Sequence, residues 1–196
     1  LNAVREAFDA ALNFDKEEEY KYVSKPKKVV FITGATGTMG QETMKQLLSR
    51  NNRFKTRILA RPSEKNRQLL KKYMCPSLEV VWGDMVDYDT IKKCVDGADY
   101  VLHIGAMVSP AADKYPEKTL YTNIGSTLNI IKAIKEQPDP DKVHFAYVGT
   151  VAMTGSRLEP VQFGRIGDPM NPSIHDYYAV SKVFSEAAVF ESGLKY

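Results

Sequence analysis

Residues 28–40 constrain the fold of this chain more than any other segment. Lys28-Val29-Val30-Phe31-Ile32-Thr33 is a short continuous apolar run, the pattern of a strand buried on both faces. It ends in Gly34, Gly37 and Gly40, and a helical pattern follows with Met44, Leu47 and Leu48 on one side. A strand covered on both faces needs helices above and below its sheet, and the sequence repeats the unit to supply them. Lys55–Ala60 reads as a second strand and Ser63–Tyr73 as a second helix that Ser63 can N-cap. Leu78–Trp82 is a third strand, followed by a helix from about Tyr88 to Asp96 that Gly97 closes. Ala98–Ile104 is a fourth strand, Pro116 to about Glu136 a long helix, Val143–Val148 a fifth strand, and roughly Asp176–Glu191 a last helix. This alternation with short connections predicts an α/β fold, a doubly wound parallel sheet with helices on both faces.

The glycine-spaced loop suggests what such a sheet would bind. In Thr33-Gly34-Ala35-Thr36-Gly37-Thr38-Met39-Gly40, Gly34 permits the tight turn and Gly37 lets the backbone approach a pyrophosphate. Gly40 lets the helix pack close to the sheet. The free N–H groups and positive dipole end of that helix then face the phosphates. Turns use glycine for many reasons, but here the strand, loop and helix that the motif requires are all present.

The G-x-x-G-x-x-G spacing resembles the TGxxGxxG signature of the extended short-chain dehydrogenase/reductase family, the NAD-dependent epimerase/dehydratase group. The resemblance runs from about Lys28 to Tyr196 and implies a Rossmann fold that binds NAD(P) through Gly34, Thr36, Gly37, Thr38, Met39 and Gly40. It also implies that Asp84 accepts a hydrogen bond from the adenine amino group, with Met85 beside the ring. An ordinary turn aspartate is the alternative for Asp84. His103-Ile104-Gly105-Ala106 is similar to the family's segment after strand four, where Gly105 and Ala106 would let the cofactor lie flat on the backbone. His103 is counted with that cofactor-binding segment, although a satisfied core histidine describes its buried strand position well. Sites specific for NAD usually place an acid at the end of strand two. Here the strand ends Leu59-Ala60-Arg61-Pro62, and the Arg61 guanidinium suits a 2′-phosphate, with Lys65 or Arg67 to assist. NADP is therefore favoured over NAD.

Tyr178-Ala179-Val180-Ser181-Lys182 opens the last helix, and its i, i+4 spacing puts Tyr178 and Lys182 on one helical face. Tyr177 cannot be the tyrosine of the pair, because four residues on from it is Ser181. A free phenol, with a pKa of about 10, is a weak acid–base group at neutral pH, and a neighbouring ammonium stabilises the phenolate. By the resemblance, Tyr178 is the catalytic acid/base and Lys182 also holds the nicotinamide ribose. Thr150 binds the substrate oxygen, and Asn123 supports the site from the fourth helix. A bond within that helix accounts for Asn123 equally well. Gly149 and Thr154 depart from the family pattern, where serine and tyrosine are common. Family dehydratases carry Asp-Glu after the threonine, and Val151 and Ala152 stand there instead, which disfavours dehydration. The expected function is an NAD(P)-dependent oxidoreductase, transferring hydride at a carbonyl or alcohol carbon. The alternatives are a nucleotide-sugar epimerase using bound NAD and a non-catalytic NADP-binding regulatory protein.

The remaining features narrow the setting. A net charge of +3 over 196 residues gives no reason to expect nucleic acid or an anionic membrane as partner. A small-molecule carbonyl compound or nucleotide sugar is expected instead. Cys75 and Cys94 lack metal-ligand or CxxC spacing and read as reduced thiols of a cytoplasmic protein, with no metal. No apolar run approaches a membrane span of about 20 residues, and no secretory signal opens the sequence. Residues 1–24 read as an N-terminal helical extension, with Val4, Phe8, Ala11 and Leu12 at helical spacing, and 25–196 as the NAD(P)-binding domain. The Ser156–His175 loop, with Arg165, Asp168 and His175, would wall the pocket. The family's C-terminal substrate domain is expected to be missing, and the Tyr178 helix often builds a homodimer in the family.

Overall fold

The computed structural model describes residues 27–155 and 169–194. The expected N-terminal helix, Arg165 and Asp168 lie outside those residues. Each apolar run becomes a strand of one parallel sheet: β1 (Lys28–Thr33), β2 (Phe54–Ala60), β3 (Leu78–Trp82), β4 (Tyr100–His103) and β5 (His144–Tyr147). Their order is β3-β2-β1-β4-β5. The chain starts in the middle, winds outward through β2 and β3, then returns across β1 to β4. That reversal makes the gap between β1 and β4 a topological switch point, the place where open α/β sheets bind ligands. Register brings the strands' carboxyl ends to one edge, with Thr33 opposite His103, Ala60 opposite Trp82, and His103 opposite Tyr147.

Among the described residues, six α-helices lie between and after the strands: α1 (Thr38–Leu48), α2 (Glu64–Lys71), α3 (Tyr88–Val95), α4 (Ala111–Lys114), α5 (Pro116–Lys135) and α6 (Tyr177–Leu194). Their ends follow local chemistry. Ser63 accepts from the Asn66 N–H and Asp87 from the Asp89 N–H, each capping its helix. Pro116 opens α5, where its missing N–H costs nothing. Gly97, at φ 65°, takes the left-handed turn after α3. The four-residue α4 carries too little periodicity to be expected. β4 and β5 are shorter than their apolar runs suggest. Ala98 belongs to the turn that leaves α3, its N–H donating to Val95 O, and beyond His103 the chain leaves the sheet at the switch point. Among the described residues, no helix is long and apolar enough to cross a membrane.

Strand alternation divides the core between the two faces. Phe31 packs with Leu59, Ile91, Val95, Val101 and Ile130 under α3 and α5. Val30 and Ile32 pack with Met44, Ile58, Leu70 and Leu78 under α1 and α2. Each such side chain contributes about 1.5–3 kcal/mol through the water it sheds.

One buried polar chain crosses the sheet beside the switch point. The Thr33 hydroxyl lies 2.7 Å from His103 Nδ1 and accepts the Gly105 N–H at 3.0 Å. On the other side of the ring, Nε2 is 3.0 Å from the Thr127 hydroxyl, which donates to the Asn123 carbonyl at 2.9 Å. Every donor is satisfied when Thr33 donates to Nδ1 and Nε2–H donates to Thr127, which assigns the tautomer from the network. Burial, with the Lys182 charge second, pushes His103 down to about 3, so the ring is neutral.

Two predictions follow from this packing. A Cβ on Gly40 would lie 2.1 Å from the Gly34 carbonyl oxygen, whereas one on Gly125 meets nothing within 4 Å. Gly40→Ala should therefore cost about 3 kcal/mol or more in urea unfolding, while Gly125→Ala gains about 0.5–1 kcal/mol. His103 must gain a proton on unfolding in acid, because its folded pKa lies below the unfolded value of 6.5. Its contribution to stability is complete above pH 6.5 and drains away as the pH falls toward 3. Urea midpoints measured between pH 7 and 4 should fall less steeply in His103→Gln than in the wild type.

Candidate active site

The loop between β1 and α1 is shaped by contact with the loop after β4. Gly34 has φ +72°, and a Cβ there would lie 2.6 Å from the Gly105 Cα. A Cβ on Gly105 would in turn lie 3.0 Å from the Gly34 nitrogen. Two backbones thus touch at the switch point: a side chain at Gly34 would clash, and one at Gly105 would be tight. The Gly37 N–H donates to the Gly34 carbonyl at 3.0 Å, and the Gln41 side-chain amide to the Thr36 carbonyl at 3.1 Å. Gly37 is the N-cap of α1, no side chain caps that helix, and its first turn holds no acid. The N–H groups of Thr38, Met39 and Gly40 belong to that first turn and lack intrahelical acceptors. An uncapped helix start above a side-chain-free cradle fits a dinucleotide's pyrophosphate. Thr36 is half-buried and Thr38 and Met39 are exposed at the rim.

Residues expected at the adenosine end sit at the carboxyl ends of β2 and β3. Arg61 is exposed, and its carbonyl accepts from the Ser63 N–H at 2.8 Å and the Asn66 amide at 2.9 Å, which fixes the loop. Lys65 is also exposed. The Arg67 guanidinium instead lies 4.6 Å over the Trp82 ring, a cation–π contact that braces α2 on β3. Asp84 is exposed and accepts the Val86 N–H at 3.2 Å through one oxygen. Met85 packs against the Phe31 core cluster. Gly105 and Ala106 form a half-buried floor.

The Tyr-Lys segment meets the sheet at β5. The Lys182 ammonium donates to the Val148 carbonyl at 2.6 Å and lies 3.8 Å from the Tyr147 ring centre. Lys182 is only 3% exposed. Burial draws it down to about 8 from 10.5, with Glu186 opposing the shift. Burial also pushes the Tyr147 phenol up. Tyr178 is half-buried in the first turn of α6, with Asp176 accepting the Ala179 N–H at 2.9 Å beside it. Thr150 directly follows β5's exit. Its hydroxyl accepts the Ala152 N–H at 3.3 Å and caps the 3₁₀ turn Val151–Thr154. His175 is exposed.

Two of the expected site residues have their side chains engaged within the protein. Asn123, expected to support the site from its helix, has its carboxamide fully engaged. Its oxygen accepts the Met107 N–H at 2.7 Å, and its nitrogen donates to the Met107 carbonyl at 3.0 Å and the Ser181 hydroxyl at 2.9 Å. Asn123 therefore braces the β4 exit loop against α6. His103, read either with the cofactor-binding segment or as a satisfied core histidine, is 2% exposed with both ring nitrogens engaged inside the protein. It reaches the cradle only through Thr33, which holds Gly105. Sequence reading missed Thr33, Ser181 and Tyr147. Ser181 donates to the Tyr178 carbonyl at 2.7 Å and receives the Asn123 amide. Its signal was a small polar residue inside the Tyr-Lys interval, on the helix face turned toward α5.

Comparison with known proteins agrees with this geometry. The profile of the NAD dependent epimerase/dehydratase family matches residues 30–196. A UDP-glucose 4-epimerase of Rickettsia massiliae is 29% identical over 110 residues, 54% of this chain and 32% of that protein. A 3 beta-hydroxysteroid dehydrogenase/Delta 5-->4-isomerase of Mycobacterium tuberculosis is 26% identical over 168 residues, 82% of this chain and 41% of that protein. Among solved structures, the Bordetella bronchiseptica enzyme WbmH in complex with NAD+ has a TM-score of 0.71 at 27% identity, covering 85% of this chain and 53% of that one. The chain spans between a third and about half the length of these relatives. The match over residues 30–196, with the glycine cradle at its start and the Tyr-Lys segment near its end, assigns the chain to the NAD-dependent epimerase/dehydratase family of extended short-chain dehydrogenases/reductases.

Proposed function

We propose that this chain is the dinucleotide-binding half of an NAD(P)-dependent oxidoreductase that moves hydride between the cofactor and a carbonyl or alcohol carbon. The observation that carries this reading is the meeting of two unlike groups at one sheet edge. The uncapped start of α1 offers N–H groups to phosphates, and the buried Lys182 ammonium lies at the exit of β5, one helical turn from Tyr178. Thr36, Gly37, Thr38, Met39 and Gly40 would hold the pyrophosphate, Asp84 and Met85 the adenine, and Gly105 and Ala106 the face of the cofactor. A bound nicotinamide dinucleotide supplies the hydride donor or acceptor. Tyr178 gives a proton to the substrate oxygen during reduction, or takes one during oxidation. Thr150 orients that oxygen, and Lys182 holds the ribose hydroxyls and favours the phenolate.

Arg61 supports NADP over NAD, since β2 ends without an acid and an exposed guanidinium stands beside it. Epimerisation of a nucleotide sugar with retained NAD is the second reading, favoured by the likeness to UDP-glucose 4-epimerases. A small-molecule substrate suits either. Exposed Tyr121 and Leu128 on α5, with Phe184 and Phe190 on α6, suit pairing with a second copy.

Calorimetric titration of NADPH and NADH into wild type and Arg61→Ala tests the cofactor reading. The expected result is NADPH preference that falls about tenfold or more in the variant. Equal binding of both, unchanged by the mutation, contradicts the NADP assignment and favours epimerisation. Tyr178→Phe should keep dinucleotide affinity and lose about 10²–10⁴ in turnover. Loss of binding in that variant would remove its acid–base role.

A further inference from the structure

Glu186 lies one turn beyond Lys182 on α6, so the two share a helical face. It is half-buried, and its carboxylate fills ground that a side chain at position 149 would take. A Cβ on Gly149 would sit 2.7 Å from Glu186 Oε2. Gly149 directly follows Val148, whose carbonyl accepts the Lys182 ammonium at 2.6 Å. The missing side chain, the carboxylate and the ammonium are therefore gathered at the exit of β5.

The titratable groups around Lys182 are Tyr147 from β5, His103 from β4, and Tyr178 and Glu186 from its own helix. α5 presents the uncharged Asn123, bonded to Ser181 beside Lys182. Glu186 is the carboxylate of this set. An ammonium withdrawn from water is costly unless its charge is compensated. The Val148 carbonyl and the Tyr147 ring offer only dipolar and quadrupolar compensation.

We propose that Glu186 is a positioning residue for the Tyr178–Lys182 pair, its carboxylate seated in the gap at Gly149 as the counter-charge of Lys182. Burial pulls the lysine toward neutrality, and Glu186 is the influence that opposes it. A side chain at 149 would displace the carboxylate from this seat. The chemical consequence, an ammonium kept charged beside Tyr178, rests on the proposed function; the packing itself does not.

The test is an NMR titration of lysine labelled with ¹³C at Cε, in the full chain. Lys182→Arg assigns the resonance, and wild type, Glu186→Gln, Gly149→Ala and the double variant are compared. The Lys182 midpoint should fall by on the order of one pH unit in Glu186→Gln. It should fall in the same direction in Gly149→Ala, with the double variant no lower than Glu186→Gln alone. An unchanged midpoint in folded Glu186→Gln overturns the proposal. If that variant does not fold, an unchanged midpoint in Gly149→Ala overturns it instead. NADH titration of the same samples separates the two readings. A shifted midpoint without NADH binding keeps the counter-charge and removes the functional reading, whereas an unshifted midpoint with NADH binding does the reverse.

Discussion

The contact between the Gly34 and Gly105 backbones is the constraint on which the rest of this site depends. It forms where β1 and β4 leave the sheet together, at the point where the winding reverses. A side chain at Gly34 would wedge the two loops apart, and one at Gly105 would press on the Gly34 nitrogen. With both absent, α1 can start directly over β1, held by the close approach of Gly40 to the Gly34 carbonyl. The uncapped N–H groups of that helix then project over the sheet edge. The cradle is thus a consequence of packing, and its lack of side chains is what makes it open to a phosphate.

Polar chains beneath the cradle fix its floor relative to the Tyr-Lys helix. From Gly105 the bonds run through Thr33, the neutral His103 ring and Thr127 to the Asn123 backbone. The Asn123 side chain continues to Ser181, which bonds the Tyr178 carbonyl. Ser185 adds a second tie from α6 to the Asn123 carbonyl at 3.2 Å. Buried networks of this kind hold geometry when every member is paired. The arrangement keeps the glycine loop and the Tyr-Lys helix in fixed relation, as the proposed hydride transfer would require.

The legible parts of the sequence were those decided within a few residues. The bounds of β1 and β3 match their apolar runs, Ser63 caps α2, and Gly97 ends α3, because strand pattern and capping are local. The glycine loop and the Tyr-Lys interval were legible for the same reason. The bonding partners of His103 and Asn123 were not, since they lie far along the chain. Thr33 is 70 residues from His103, and Asn123 is 58 from Ser181. No spacing rule announces that a ring or an amide will be saturated by such partners. Arg67 turned from an expected phosphate contact to stacking on Trp82, a pairing set by the register of β2 with β3 and the seat of α2. The short α4 and the turn at Val151–Thr154 hold too few residues for periodicity to register.

The central claim is that a dinucleotide lies across the switch point, with its pyrophosphate on the α1 start. Amide ¹H–¹⁵N spectra recorded while NADP⁺ or NAD⁺ is added test it residue by residue. The account predicts that the largest shifts fall on residues 36–40, with further shifts at Arg61, Asp84, Gly105 and Ala106. Shifts confined to other surfaces, or none at millimolar dinucleotide, would contradict it.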